Sequence, residues 1–367
     1  MGILQPIWDG TFVYREPVCF SADKDGRPTG GTLLYQPEEI LSVTSFDGSV
    51  FYQPVRDYTA NGRQLVRTEA SRIPYLERSV YCKPFTGVPE TAWVRLSGGK
   101  AYMEVVSDVY RWQTLVTYTH RDKWAGFQPK TCGESLPRSM EKLRAGGDFH
   151  LTFYGDSITA GWEASSCNER AIDMVTLGEY HVSLWHAPYQ PAWAELVTNA
   201  LQARYPQSNV IKTNRAAGGS TVQWGVEHAA ELVPPCKPDL IMLGFGMNSM
   251  QESAEDYRRA ILSIIRTIRK ECHDCEFVLM SPMIPNPEIK GFQNNQLPAQ
   301  QDVLYQIAAE LEGVCIAPVH SVFREMTARG KHYLELTGNC INHPNDFSVR
   351  VYAQTVLRTL GVDGNDG

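Results

Sequence analysis

Four short blocks hold the residue types that acyl transfer through a serine requires: Gly155-Asp156-Ser157, Asn214-Arg215-Ala216-Ala217-Gly218-Gly219-Ser220-Thr221, Gly244-Phe245-Gly246-Met247-Asn248-Ser249 and Asn342-His343-Pro344. A serine hydroxyl is a weak nucleophile at neutral pH and needs a base within hydrogen-bond reach. Imidazole binds protons near pH 7, so His343 is the candidate base for Ser157 and the donor that later protonates the leaving alcohol. A carbonyl under attack becomes an oxyanion and needs donors aimed at it. The N–H of Ser157, the N–H of Gly219 and the side-chain amide of Asn248 are candidates, and losing one such donor costs about 2.7–4 kcal/mol of transition-state stabilisation. Glycine at 219 lets the backbone come close to a bound group. Taken singly, each block has an ordinary reading: a helix cap, a turn, a loop amide, a surface histidine. Their order and joint placement single them out.

The elements that must position these blocks follow from periodicity. Residues 150–154 form an apolar, β-prone run that enters Gly-Asp-Ser. This predicts a buried strand ending in a tight turn that opens a helix, with Ser157 at the helix start where free N–H groups and the helix dipole favour negative charge. Further apolar runs at 209–212, 239–245, 277–280 and 314–317 alternate with amphipathic stretches. Trp193, Leu196, Val197, Ala200 and Leu201 share one helical face, as do Tyr257, Ala260, Ile261, Ile264, Ile265 and Ile268. A last helix is predicted over 346–360. Such a pattern implies an α/β domain whose parallel sheet is covered on both faces, with ligands bound outside the carboxyl ends of the strands.

Residues 8–119 read differently, as short alternating segments at 11–14, 32–35, 40–44, 49–52, 64–68, 91–96 and 102–106. Asp25-Gly26, Asp47-Gly48, Asn61-Gly62 and Gly98-Gly99 lie among them, which suggests an all-β, jelly-roll-like sandwich. The predicted organisation is therefore a β-sandwich domain at 1–120, a linker at 121–147 with a short helix near 139–144, and a catalytic α/β domain at 148–367. The stretch 162–191 is too long for an ordinary connection, which marks it as a lid or binding loop.

The blocks resemble the SGNH, or GDSL-type, hydrolase superfamily over residues 148–361, through Ser157 in Gly-Asp-Ser, Gly219 in the glycine block, Asn248 in Gly-Met-Asn and His343 in His-Pro-Asn. The resemblance implies a three-layer α/β/α domain with about five parallel strands. It also implies an ester-cleaving serine whose oxyanion is held by the serine, glycine and asparagine donors. A β-sandwich ahead of such a domain resembles the layout of several carbohydrate deacetylases, acetyl-xylan esterases among them.

Two departures stand out. The family usually has Asp three residues before the histidine, and here that position is Cys340. A thiol cannot replace a carboxylate beside an imidazolium, so the expectation is a Ser157–His343 dyad with a backbone carbonyl near Cys340 accepting the ring N–H, or a triad completed by Glu335 or Asp346. Asp346 is equally a candidate N-cap for the last helix. Ser249 stands where the family commonly has Asp, which should alter loop support and leave the chemistry in place.

Composition sets the outer bounds. Apolar content of 43% and charged content of 20% suit a globular chain with a large core, and a net charge of −7 argues against nucleic-acid or anionic-membrane partners. There is no run of about 18 apolar residues and no visible leader peptide, so the expected location is cytoplasmic, or secreted after removal of a leader. The nine cysteines are scattered, and Cys272-His273-Asp274-Cys275 lacks the second pair that a zinc site wants, so no metal or organic cofactor is expected. The expected substrate is a small acyl ester, an acetylated carbohydrate above all, with Trp185, Tyr189 and Trp224 as candidate sugar contacts, each equally open to ordinary packing, Trp224 under its own helix. The competing expectations are a lipase or thioesterase for longer chains, and a non-catalytic carbohydrate-binding protein carrying a decayed hydrolase domain.

Overall fold

The computed structural model describes residues 3–23, 25–77, 108–289 and 291–362. Its α/β half is built on five parallel strands: β8 (Gly147–Gly155), β11 (Ser208–Asn214), β12 (Leu240–Gly244), β13 (Glu276–Met280) and β14 (Val314–Ala317), in the spatial order β11-β8-β12-β13-β14. Neighbouring residues on a strand point to opposite faces, and here both faces are apolar. Phe153, Met242 and Val278 join one buried cluster while Tyr154, Leu243 and Leu279 join another. This two-sided burial is why β12, β13 and β14 read as apolar runs, while the edge strand β11 is only partly buried.

Helices α3 (Val222–Leu232), α4 (Ala254–Arg269) and α5 (Leu297–Glu310) cover one face. The other is covered by α1 (Pro137–Ala145), α2 (Trp193–Arg204), α6 (Val319–Ala328) and α7 (Asp346–Leu360). All six residues of the stripe predicted on α4 are buried. The strand order reverses between β8 and β12, which is where doubly wound sheets open a ligand crevice.

The helix predicted to start at Ser157 does not form. Residues 157–163 make a run of turns, in which the N–H of Ala160 bonds the carbonyl of Asp156 (2.9 Å) and the N–H of Trp162 bonds that of Ser157 (3.1 Å). Gly161 ends this turn at φ +83, where a Cβ would lie 2.5 Å from that of Ala192. Ser157 thus has the N–H groups of a single turn and no long helix dipole behind it. The crossover helix comes only at α2. The intervening 162–191 stretch folds partly as a hairpin of β9 (Asn168–Ile172) and β10 (Glu179–Ser183).

The N-terminal region is an antiparallel sheet of β1 (Phe12–Ala22), β3 (Pro37–Ser45) and β7 (Gln113–His120), flanked by the short β2 (Pro28–Thr29) and β6 (Tyr75–Leu76). A separate hairpin pairs β4 (Tyr58–Asn61) with β5 (Gln64–Arg67). The predicted segments at 32–35 and 49–52 contribute only isolated bridges, Thr32 to Gln64 and Phe51 to Thr44. Those at 91–96 and 102–106 lie outside the described residues. One apolar cluster runs without a break from Val18 and Tyr118 of this sheet and Tyr35 before β3 to Phe149, Phe153, Trp193 and Phe323. A buried ionic group crosses the same junction: Lys331 Nζ lies 3.0 Å from Glu16 and 3.2 Å from Glu335.

Candidate active site

Ser157 Oγ and His343 Nε2 are 2.8 Å apart, although 186 residues separate them in the chain. Both side chains are largely buried. Ser157 follows the end of β8, and the buried Asp156 beside it accepts the N–H of Ile158 at 3.0 Å. Its carboxyl is pushed up to about 6 by burial, against the opposing pull of its hydrogen bond from the Ile158 N–H and of nearby His343. The N–H of Asp156 donates to the carbonyl of Gly244 (3.2 Å), which ties the Gly-Asp-Ser turn to the strand end that opens the Gly-Met-Asn block.

The other two blocks are fastened to the same strand end. The N–H of Ala217 donates to the carbonyl of Gly155 (2.9 Å), as does the Ser220 hydroxyl (3.2 Å). Asn248 Nδ2 in turn donates to the carbonyl of Ser220 (3.0 Å). Gly219 lies exposed at φ +77 with open space where a Cβ would stand, a conformation suited to glycine. Asn248 is exposed on a single 3₁₀ turn, and Ser253, not Asn248, caps the following helix. Ser249 supports the loop: its hydroxyl accepts the N–H of Val222 (2.9 Å) and its carbonyl accepts Gln300 Nε2 (2.8 Å).

The loop carrying His343 is organised by Asn339, whose Oδ1 accepts the N–H groups of Ile341, Asn342 and His343 at 2.9–3.0 Å. None of the three sequence candidates for orienting the ring reaches it. The carbonyl of Cys340 is taken by Asn286 Nδ2 at 2.7 Å. Glu335 faces the N-terminal sheet, where it accepts the N–H groups of Gly31 (2.7 Å) and Cys19 (3.2 Å) and pairs with Lys331. Asp346 accepts the N–H and the hydroxyl of Ser165, at 2.9 and 2.6 Å. The N-cap of the last helix is Asn345, which accepts the N–H of Ser348. Each of these acids meets backbone donors that a sequence cannot place.

The carboxylate that approaches the ring is Glu163, with Oε1 3.7 Å from His343 Nδ1. Sequence reasoning missed it, because it sits six positions after the nucleophile in a stretch without periodicity and far from His343 in the chain. Trp162 was missed too. Its ring meets the imidazole edge-on at 5.7 Å, and it packs so close to Gly218 that a Cβ there would stand 2.9 Å from it.

The aromatic candidates divide. Trp224 is buried, donates its indole N–H to the Met174 carbonyl (3.1 Å) and stacks on His228, so it packs under its own helix and does not present a face to a sugar. Trp185 and Tyr189 are 71% and 51% exposed, with ring centroids 5.3 Å apart.

Among the described residues no group of three or more His, Cys, Asp or Glu side chains could hold a metal ion, and no helix is long and apolar enough to cross a membrane. All eight described cysteines are free thiols, and Cys272–Cys275 lie in the turn between α4 and β13.

No curated protein sequence matches the chain. Among solved structures it is similar to a two-domain esterase (CEX) active on acetylated mannans, at 20% identity and a TM-score of 0.48 over 66% of this chain and 56% of that one. The chain therefore spans little more than half of that esterase. It is also similar to Axe2, an acetylxylan esterase from Geobacillus stearothermophilus, at 21% identity and a TM-score of 0.46 over 59% of this chain and 96% of that one. LAE5, an α/β hydrolase from the metagenome of Lake Arreo, Spain, is 20% identical with a TM-score of 0.46, over 61% of this chain and all of its own. The sequence profile of the GDSL-like Lipase/Acylhydrolase family matches residues 153–348, a span that opens four residues before Ser157 and closes five after His343. That match covers more than half of the chain, and the protein belongs to the GDSL-like lipase/acylhydrolase family.

Proposed function

We propose that the protein hydrolyses small acyl esters, acetyl groups on a carbohydrate above all, with Ser157 as nucleophile and His343 as general base and acid. The observation that carries this reading is the 2.8 Å contact between Ser157 Oγ and His343 Nε2 beside the point where the strand order reverses. As Oγ adds to the ester carbonyl its proton passes to Nε2. The resulting oxyanion is held by the N–H groups of Ser157 and Gly219 and the amide of Asn248. Collapse breaks the bond to the alcohol, which leaves with the proton from Nε2. Water, deprotonated by the same nitrogen, then cleaves the acyl-serine and releases the carboxylic acid, so water is the only co-reactant.

A short acyl group is favoured by Trp162, which lies against both His343 and Gly218 and narrows the space beside the nucleophile. A carbohydrate alcohol is favoured by Trp185 and Tyr189, whose exposed rings lie on the same segment, since flat aromatic faces suit the C–H faces of pyranose rings. The decayed-hydrolase reading drew its support from the missing acid before His343, and the carboxylate of Glu163 beside the ring weakens it.

The test is acetate release from 4-nitrophenyl acetate by the full chain, which Ser157→Ala should abolish. Turnover that survives Ser157→Ala refutes the serine mechanism. An acyl-length profile that peaks beyond about eight carbons refutes the preference for acetyl, since buried methylenes add roughly 0.8 kcal/mol each only where a groove accepts them.

A further inference from the structure

We infer that Glu163 is the positioning carboxylate for His343, and that the N-terminal sheet region sets its place through Tyr110. The inference rests on the Ser157–His343 reading above. When Nε2 accepts the serine proton, Nδ1 must carry the ring hydrogen, and that hydrogen needs an acceptor. Nδ1 of His343 is buried and has no hydrogen-bond partner among the described residues, while Glu163 Oε1 stands 3.7 Å away. A closure of less than about 1 Å makes the bond, and catalytic hydrogen bonds are commonly long before substrate arrives.

The backbone at Glu163 is held for this purpose. Its φ is +71, a left-handed conformation that residues with a Cβ adopt only where the surroundings impose it. Two contacts impose it here. The Tyr110 hydroxyl, from the segment leading into β7, donates to the Glu163 carbonyl. Gly338 packs beneath both, since a Cβ on it would stand 2.7 Å from Glu163 Cβ and 2.7 Å from the Tyr110 hydroxyl. The N–H of Gly338 donates to the His343 carbonyl at 2.9 Å, so the histidine loop, Glu163 and Tyr110 meet at one glycine.

Gln113, three residues beyond Tyr110, holds the other side of that loop. Its fully buried side chain donates to the carbonyls of Leu334 and Thr337, each at 2.8 Å, and accepts from Asn345 Nδ2 at 3.1 Å. The usual acid of this family precedes the histidine on the histidine's own loop. Here the acid comes from the nucleophile's side of the cleft, and a second sheet holds it in place.

Steady-state kinetics on 4-nitrophenyl acetate with the full chain test both parts. Glu163→Gln should lower kcat by about 10²–10⁴ with KM changed less than about threefold and the thermal midpoint kept. Glu163→Asp keeps the charge and should recover part of that loss. Tyr110→Phe should lower kcat by about tenfold in the otherwise native chain, and should have no further effect once Glu163 is Gln. A Glu163→Gln enzyme that keeps kcat within about twofold overturns the assignment. If that variant does not fold, a fully active Glu163→Asp overturns it instead, because the shorter side chain draws the carboxylate away from the ring. Equal Tyr110→Phe losses in both backgrounds overturn the coupling to the N-terminal region. Ser157→Ala separates the two levels: if it stays active, the hydrolase reading itself fails, and if it is inactive while Glu163→Gln is unaffected, only the present inference fails.

Discussion

The carboxylate of Asp346 accepts both the backbone N–H and the hydroxyl of Ser165, at 2.9 and 2.6 Å, across a separation of 181 residues. The first turn of α7 is thereby fastened to the chain two residues beyond Glu163. Burial pushes the Asp346 carboxyl up, while its bonds from Ser165 pull the other way. Asp346→Ala leaves two buried donors unpaired, and each such group costs about 1–3 kcal/mol. The expected outcome is a loss of about 2–4 kcal/mol in urea denaturation together with a lower kcat on 4-nitrophenyl acetate. Asp346→Asn, which keeps an acceptor, should lose less of both. Unchanged stability in the alanine variant contradicts the stapling role.

Asn248 is exposed, and its amide nitrogen already donates to the carbonyl of Ser220, so its removal should disturb the fold little. Asn248→Ala should reduce kcat by about 10²–10³ while the thermal midpoint moves by no more than a few degrees. Comparable activity in the variant would assign the amide to loop support and remove it from the oxyanion hole.

Trp185 and Tyr189 offer apolar faces to solvent on a backbone stiffened by hydrogen bonds from His186 to the Ser165 carbonyl (3.0 Å) and from Tyr189 to the His186 carbonyl (2.9 Å). Replacing both with alanine should raise KM for acetylated oligosaccharides by about tenfold or more, on the roughly 1 kcal/mol or more that an aromatic face contributes. Turnover of 4-nitrophenyl acetate, which has no sugar, should be preserved. A parallel loss on both substrates contradicts a sugar-binding role.

His320, near the start of α6, is buried, and burial together with the nearby Arg324 lowers its imidazole to about 4. The folded chain therefore resists protonation that the unfolded chain accepts below its ordinary value of 6.5. The sign follows: stability is intact above pH 6.5 and declines as pH falls toward 4, by roughly 3 kcal/mol in all from this group. His320→Leu should flatten this part of the profile, measured as urea-unfolding free energy at pH 4.5 and 7. Equal slopes in the two proteins contradict the assignment.

Much of the catalytic half is legible in the linear chain. The strand at 150–154 buries Phe153 on one face and Tyr154 on the other because both faces of β8 are covered, and the α4 stripe repeats at helical spacing because only one side of that helix is. The turn chemistry of Gly218-Gly219, the placement of three polar blocks after strand ends and that of the His343 block before the last helix are likewise local features. The same local reasoning misplaces a helix after Ser157, since nothing in the residue pattern shows that Gly161 turns left-handed against Ala192. It also leaves Trp224 open between a sugar contact and packing under its own helix, and Met174 and His228 decide for packing.

Periodicity and turn residues are properties of neighbours in the chain, and they suffice to specify a parallel sheet with a serine, a glycine turn, an asparagine and a histidine at its carboxyl rim. The partner of the imidazole is a different kind of fact. Cys340, Glu335, Asp346 and Glu163 are indistinguishable as candidates until the paths of three loops and the packing of the N-terminal sheet are known. Hydrogen-bond demand from distant backbone N–H groups claims Glu335 and Asp346 for the architecture, Asn286 claims the Cys340 carbonyl, and Tyr110 with Gly338 leaves Glu163 facing His343. That selection is made by tertiary contacts over hundreds of residues, which no local signal encodes.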